Sequence, residues 1–177
     1  MSNAWLATAW LRLPLGKEQA EALATRTVAT IGEVQPQGAA NTLWAAATLG
    51  MPLSLATWRA CLARIDDAIS AAAGSSIRDL RQTVCNAGWA AARADRTELA
   101  AEVFALCAHA GRPDMWRGMS YLDLSQLHVV HTWLLLLHGA KSGRGLEGVL
   151  SQDQLRRGAA AVSGAPARGG AGGRREQ

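Results

Sequence analysis

Apolar residues recur at three- and four-residue steps along most of this chain. Leu55, Trp58, Leu62, Ile65 and Ile69 form one stripe, and Leu99, Val103, Leu106 and Ala110 form another. That period places each set on one face of a helix. A shorter and poorer stripe runs through Ala20, Leu23 and Thr27. Asp95 and Glu98 offer an N-cap and an N3 acid to open the helix that carries the second stripe. Breakers separate the periodic segments: Pro14-Leu-Gly16, Gly32 to Gly38 with Pro36, Gly50-Met-Pro52, Gly74-Ser-Ser76 and Gly111-Arg-Pro113. Each stops one helix and lets another begin.

Between these stripes lies a second, Trp-bearing set of helices that repeats. Asn41-Thr-Leu-Trp44-Ala-Ala-Ala47 returns as Asn86-Ala-Gly-Trp89-Ala-Ala-Ala92, 45 positions later. Weaker copies flank the pair, at Trp5 with Leu6-Ala7-Thr8-Ala9 and at Trp133 with four following Leu. Helix, turn, helix, turn in units of this size predicts an all-α fold. The expected architecture is an α-solenoid of about four stacked hairpins, an armadillo- or HEAT-like superhelix in which each hairpin buries its apolar face against the next. Trp5, Trp44, Trp89 and Trp133 are the expected repeat anchors, since a Trp in an Ala-rich helix fills the gap between closely packed hairpins. Exposed indoles stack on bases in single-strand binders, which is the functional alternative. Asn41 and Asn86, about one turn before their Trp, can bond a neighbouring backbone or face a ligand.

Composition agrees with a helical domain. Hydrophobic residues make up 49% of the 177, and a single Phe and a single Tyr accompany seven Trp. The three Cys, at 61, 85 and 107, form no C-x-x-C pair, so they read as reduced, buried thiols rather than as a disulfide framework or a zinc site. Residues 1–140 carry 11 Lys/Arg and 11 Asp/Glu, so the net charge of +4 belongs to residues 141–177. Three regions follow: a helical-repeat body over 1–140, a linker with a short helix over 141–157, and a Gly/Ala/Arg-rich tail over 158–177 that is expected to be disordered. Ser151-Gln-Asp-Gln154 is the expected cap of that short helix, which should end at Arg157. The apolar run from Leu124 to Leu137 contains Ser125, Gln126, His128 and His131 and is too short for a bilayer, so it reads as a buried helix. No membrane partner is expected.

Chemistry for catalysis is thin. His128 and His131, three apart on one helix, would begin a metal site but have no third ligand at a telling spacing. Asp66 and Asp67 are adjacent and diverge on a helix. Glycine motifs for phosphates, nucleophile elbows and metalloprotease helices are not found in the sequence. The chain is expected to bind a partner without catalysis, cofactor or metal.

The segment from Gln35 to Gly50, reading QPQGAANTLWAAATLG, resembles the core of an octotricopeptide repeat, a family of RNA-binding proteins abundant in green-algal organelles. Asp123 to Leu137 resembles the helix near the end of such arrays and of the related FAST kinase-like proteins. Gly145 to Leu155 resembles the stretch leading toward their terminal RAP domain. The likeness spans about residues 1–157. It implies a protein of the chloroplast or mitochondrion that binds a particular single-stranded RNA, with other proteins of a ribonucleoprotein complex, and governs its processing, stability or translation. The first unit lacks its beginning, and neither a transit peptide nor a RAP domain accompanies it, so a fragment, a truncated gene model or a degenerate member of the family is expected. Arg12, Lys17, Arg59, Arg81, Arg93 and Arg96, with Asn41 and Asn86, are the candidate RNA contacts. The rival reading is an armadillo-like scaffold that grips an extended peptide with Asn and Trp. Here Asn precedes Trp, and each unit has two helices rather than three.

Overall fold

A computed structural model describes residues 2–13, 15–72, 80–138 and 145–164. All regular structure among the described residues is helical. In chain order the helices are α1 (Ser2–Trp10), α2 (Lys17–Thr30), α3 (Pro36–Leu49), α4 (Leu55–Ala71), α5 (Arg81–Arg93), α6 (Ala100–Ala108), the single turn α7 (Pro113–Trp116), α8 (Tyr121–His138) and α9 (Gln152–Ser163). Short 3-10 turns stand at Ile31–Glu33, Thr97–Leu99 and His109–Gly111.

The ends of these helices follow from the punctuating residues. Pro36 and Pro113 occupy first-turn positions of α3 and α7, where a missing N–H costs nothing. Gly50 closes α3 at φ +66°, a left-handed conformation that glycine adopts without a steric penalty. Ser54 caps α4 by accepting from the Thr57 amide at 3.1 Å. Ser151 and Gln154 form the expected capping box of α9. That helix runs on to Ser163, beyond the Arg157 end expected from sequence, because Gly158 and Ala161 are buried against α8. Residues 165–177 and the Gly74-Ser-Ser76 breaker lie outside the described residues.

Asp95 departs from its expected capping role. It sits at φ +50°, and the helix after it opens through the 3-10 turn Thr97–Leu99. Its carboxylate instead accepts the Trp133 indole N–H at 3.0 Å, tying the turn after α5 to α8.

Helices α1, α3, α5, α8 and α9 pack one against the next, while α4 packs on α3, α2 and α6. Small side chains allow the first series to approach closely: Ala39, Ala40, Ala45, Ala46, Ala87, Ala90 and Ala91 are fully buried. Gly88 marks the tightest point. A Cβ there would stand 2.7 Å from Cys107 Sγ and 3.2 Å from Val130 Cγ2, so α5 meets α6 and α8 at a position that accepts no side chain without adjustment. The predicted stripe of α4 is buried from Trp58 through Ile69, and Leu99, Val103, Leu106 and Ala110 are buried as well. Each such aliphatic side chain contributes about 1.5–3 kcal/mol by leaving water. No described helix is long and apolar enough to cross a membrane. In α8, Leu136 and Leu137 are exposed although the run from Leu124 to Leu137 was expected to be buried.

Candidate functional site

The packing of α1, α3, α5, α8 and α9 leaves a groove of about 890 Å³ along one side. Helix α3 contributes Gln37, Asn41, Trp44 and Thr48, and α5 contributes Gln82, Asn86 and Trp89. Gln, Asn and Trp thus recur at i, i+4 and i+7 on both helices, a spacing that keeps three side chains on one face. Leu6 and Trp10 of α1 extend the wall at one end, and Tyr121, Ser125, Gln126 and Val129 of α8 extend it at the other. Val162 of α9 stands at that second end.

One hydrogen bond between α3 and α5 and one within α3 hold the polar rung. Thr83 Oγ1 donates to Gln37 Oε1 at 2.8 Å, and Gln37 Nε2 donates to Asn41 Oδ1 at 3.0 Å. On the next pair of helices Gln126 Nε2 donates to Asn86 Oδ1 at 2.9 Å. The two Asn residues therefore keep their amide N–H groups available to the groove. The Trp44 and Trp89 rings stack, with centroids 6.4 Å apart and planes 29° from parallel. Both are partly buried, whereas Trp10 is 71% exposed.

The four indoles expected to be equivalent anchors hold different places. Trp5 is fully buried and donates to Thr27 Oγ1 at 3.1 Å, pointing toward α2. Trp133 is buried and bonded to Asp95. Groove positions matching Trp44 and Trp89 are taken by Leu6, one residue after Trp5, and by Val129, four before Trp133. Trp identity was a misleading guide in the outer units because the side chain that faces the groove is set by helix register.

The predicted cationic residues do not converge on the groove. Arg59 pairs with Glu102 across α4 and α6 at 3.1 Å. Arg81 Nη1 donates to the Arg117 carbonyl at 2.6 Å. Arg96 donates to the Leu53 carbonyl at 2.7 Å, lies 3.3 Å from Glu98, and covers the Trp58 ring at 5.5 Å. These three hold the fold. Arg93 is exposed beside a second cavity, formed with the 46–52 turn, which meets the groove at Thr48. Arg12 is exposed at the turn after α1. The side chain of Lys17, at the start of α2, lies outside the described residues.

The titratable groups singled out from sequence are structural in position. Asp66 Oδ1 is 3.0 Å from His109 Nε2, and Asp67 points away to solvent. His131 Nδ1 accepts the Leu146 amide at 3.0 Å, which fixes the segment before α9. The His128 ring lies 6.2 Å from that of His131, and burial, then its neighbour's charge, pushes its pKa down. Among the described residues no three His, Cys, Asp or Glu side chains gather as a metal site would require. The three thiols are buried, and burial pushes Cys61 and Cys107 up to about 12.

Sequence reasoning missed Gln37, Gln82 and Gln126. The first two repeat at the same 45-residue interval as the Asn and Trp, so the signal was present. Gln126 is joined to Asn86 across 40 residues, and no local pattern announces that bond. No family profile, curated protein or solved structure matches this chain.

Proposed function

We propose that the chain is a short α-solenoid that binds single-stranded RNA along the groove, and that it acts in organellar RNA metabolism. The observation that carries this reading is the repeated Gln–Asn–Trp face of α3 and α5. Helical-repeat proteins read unpaired bases with two or three side chains per repeat, using amides for the base edge and an aromatic ring for stacking. Successive packing of α1, α3, α5 and α8 supports the solenoid. The organelle, chloroplast or mitochondrion, and the role in processing, stability or translation rest on the octotricopeptide-like sequence of residues 35–50. Amides, indoles and aliphatic groups dominate the lining, which suits binding rather than catalysis.

Phosphate contacts are few. Arg93 is exposed beside the cavity that meets the groove at Thr48 and is the candidate phosphate contact, so affinity should be modest and its dependence on salt shallow, with a logarithmic slope of about −1 to −2. The test is fluorescence anisotropy of a labelled pool of single-stranded RNA against the full chain. Saturable binding that weakens with salt and is lost in Trp44→Ala/Trp89→Ala is the expected result. Absence of saturable binding, or unchanged binding by that variant in its folded form, overturns the reading.

One observation favours a second reading. Among the described residues the groove lining holds no Lys or Arg, while it offers amides and an exposed Trp10. Such a surface also fits an extended peptide, whose backbone is neutral and bonds readily to Asn. Displacement of the RNA by a neutral extended peptide at the same sites would support that partner.

A further inference from the structure

Helix α9 and the segment that leads into it pack over two histidines of α8. His131 is 9% exposed, and its Nδ1 accepts the Leu146 amide at 3.0 Å, which places the proton of the neutral ring on Nε2. Glu147 Oε2 lies 3.8 Å from the same nitrogen and is buried with no hydrogen-bond partner among the described residues. A Cβ at Gly145 would stand 2.5 Å from His131 Nδ1 and 2.7 Å from Glu147 Oε2, so backbone, imidazole and carboxylate meet without slack. About one turn earlier, His128 packs against Gly158 of α9, where an added Cβ would stand 3.3 Å from His128 Cβ. Its Nδ1 is buried and also lacks a partner among the described residues. Among the described helices α9 packs chiefly on α8, so little else holds it.

Both rings are placed for the neutral form. A second proton on His131 sets an N–H donor against the Leu146 N–H, and the anionic partner for the new donor is Glu147, so the ring leaves the amide for the carboxylate. A proton on His128 puts charge into a contact formed by Trp116, Leu150, Gln154 and Leu155, with the His131 ring 6.2 Å away. Burial, then His131, already pushes the His128 pKa down. Charged groups on the surrounding elements are occupied or turned outward. Arg157 of α9 lies over the Trp116 ring at 5.4 Å, Asp153 and Arg156 are exposed, Asp114 of α7 pairs with Arg112, and Asp123 of α8 accepts from Ser120. Helices α5 and α6 meet α8 through Asn86, Gly88 and Cys107. We infer that the α8–α9 junction is an acid-operated latch: protonation of His131 and His128 releases residues 146–163 from α8 while α3 and α5 stay folded. Ala161 and Val162 line the groove, so release removes one of its walls. The latch holds whether or not the groove's ligand is RNA.

The test is amide hydrogen exchange of the full chain, read by mass spectrometry at about pH 7.5 and about pH 5 and corrected for the intrinsic rate at each pH. An undocked histidine titrates near 6.5, and between that value and the docked one the equilibrium shifts by up to about tenfold per pH unit for each proton taken up. Protection of residues 146–163 should therefore fall about tenfold or more at the lower pH and stand well below that of α3 and α5, which remain protected. His128→Asn/His131→Asn keeps an acceptor for the Leu146 amide and takes up no proton there, so the same residues should stay protected at both pH values. Equal protection of 146–163 at the two pH values, exchange there no faster than in α3 and α5 at the lower pH, or a loss that persists in the folded double variant overturns the latch. The comparison of segments needs only the unsubstituted chain, so it decides the matter even if the double variant fails to fold.

Discussion

Trp5→Ala and Trp89→Ala remove the same atoms from two different environments. Trp5 is fully buried and bonded to Thr27, so its loss should cost about 3–5 kcal/mol, the usual range for a core Trp. Thr27 keeps a second bond, from its hydroxyl to the Leu23 carbonyl, which limits any further loss there. Trp89 is only partly buried, and one of its faces rests on Trp44. Its removal should cost about 2 kcal/mol, of which about 1 kcal/mol is the ring stack. The assay is urea denaturation of both single variants, of Trp44→Ala and of Trp44→Ala/Trp89→Ala. Trp89→Ala should fall well short of Trp5→Ala, and the double variant should lose about 1 kcal/mol less than the two single losses combined. Equal costs for Trp5 and Trp89, or strict additivity of the Trp44 and Trp89 losses, would refute the division between core and groove indoles.

Three further outcomes follow from the packing. Gly88→Ala gains about 1 kcal/mol of helix propensity but overpacks against Cys107 and Val130, so a net loss of about 1–2 kcal/mol is expected on chemical denaturation. Adding Cys107→Ala should recover part of it. The native thiols should resist alkylation and all three should react on unfolding; because the fold holds them protonated, stability should fall as pH rises from about 8.5, where an unfolded thiol ionises, toward 12. His128 behaves in the opposite range. Its depressed pKa means that stability is complete above the unfolded value of about 6.5 and is lost as pH falls through the folded one, a dependence that His128→Asn should flatten in pH-resolved thermal melts.

The helical class and most helix faces were legible in the sequence because they depend on local periodicity. The stripe from Trp58 to Ile69 needs only its own spacing to be recognised as buried, and Pro36, Gly50 and Ser151 act on the residues beside them. The middle of the site was legible for a similar reason, since Asn41–Trp44 and Asn86–Trp89 repeat. Features that depend on partners distant in sequence were not. Asp95 reads locally as a helix cap, but a left-handed turn aims it at Trp133, 38 residues away. Trp5 and Leu6 differ by about 100° around one helix, so a one-residue error in register exchanges core for groove. The arginines were identifiable as charges, while their hydrogen-bond partners, Glu102 and the carbonyls of Leu53 and Arg117, belong to other elements.

Ultraviolet cross-linking of the full chain to single-stranded RNA, followed by peptide mapping, tests the central claim most directly. Adducts should concentrate on residues 37–48 and 82–89, with Trp44 and Trp89 foremost. Adducts confined to the α4 and α6 surface or to residues 165–177, with none on those two helical segments, would contradict the assignment of the groove as the RNA-binding face.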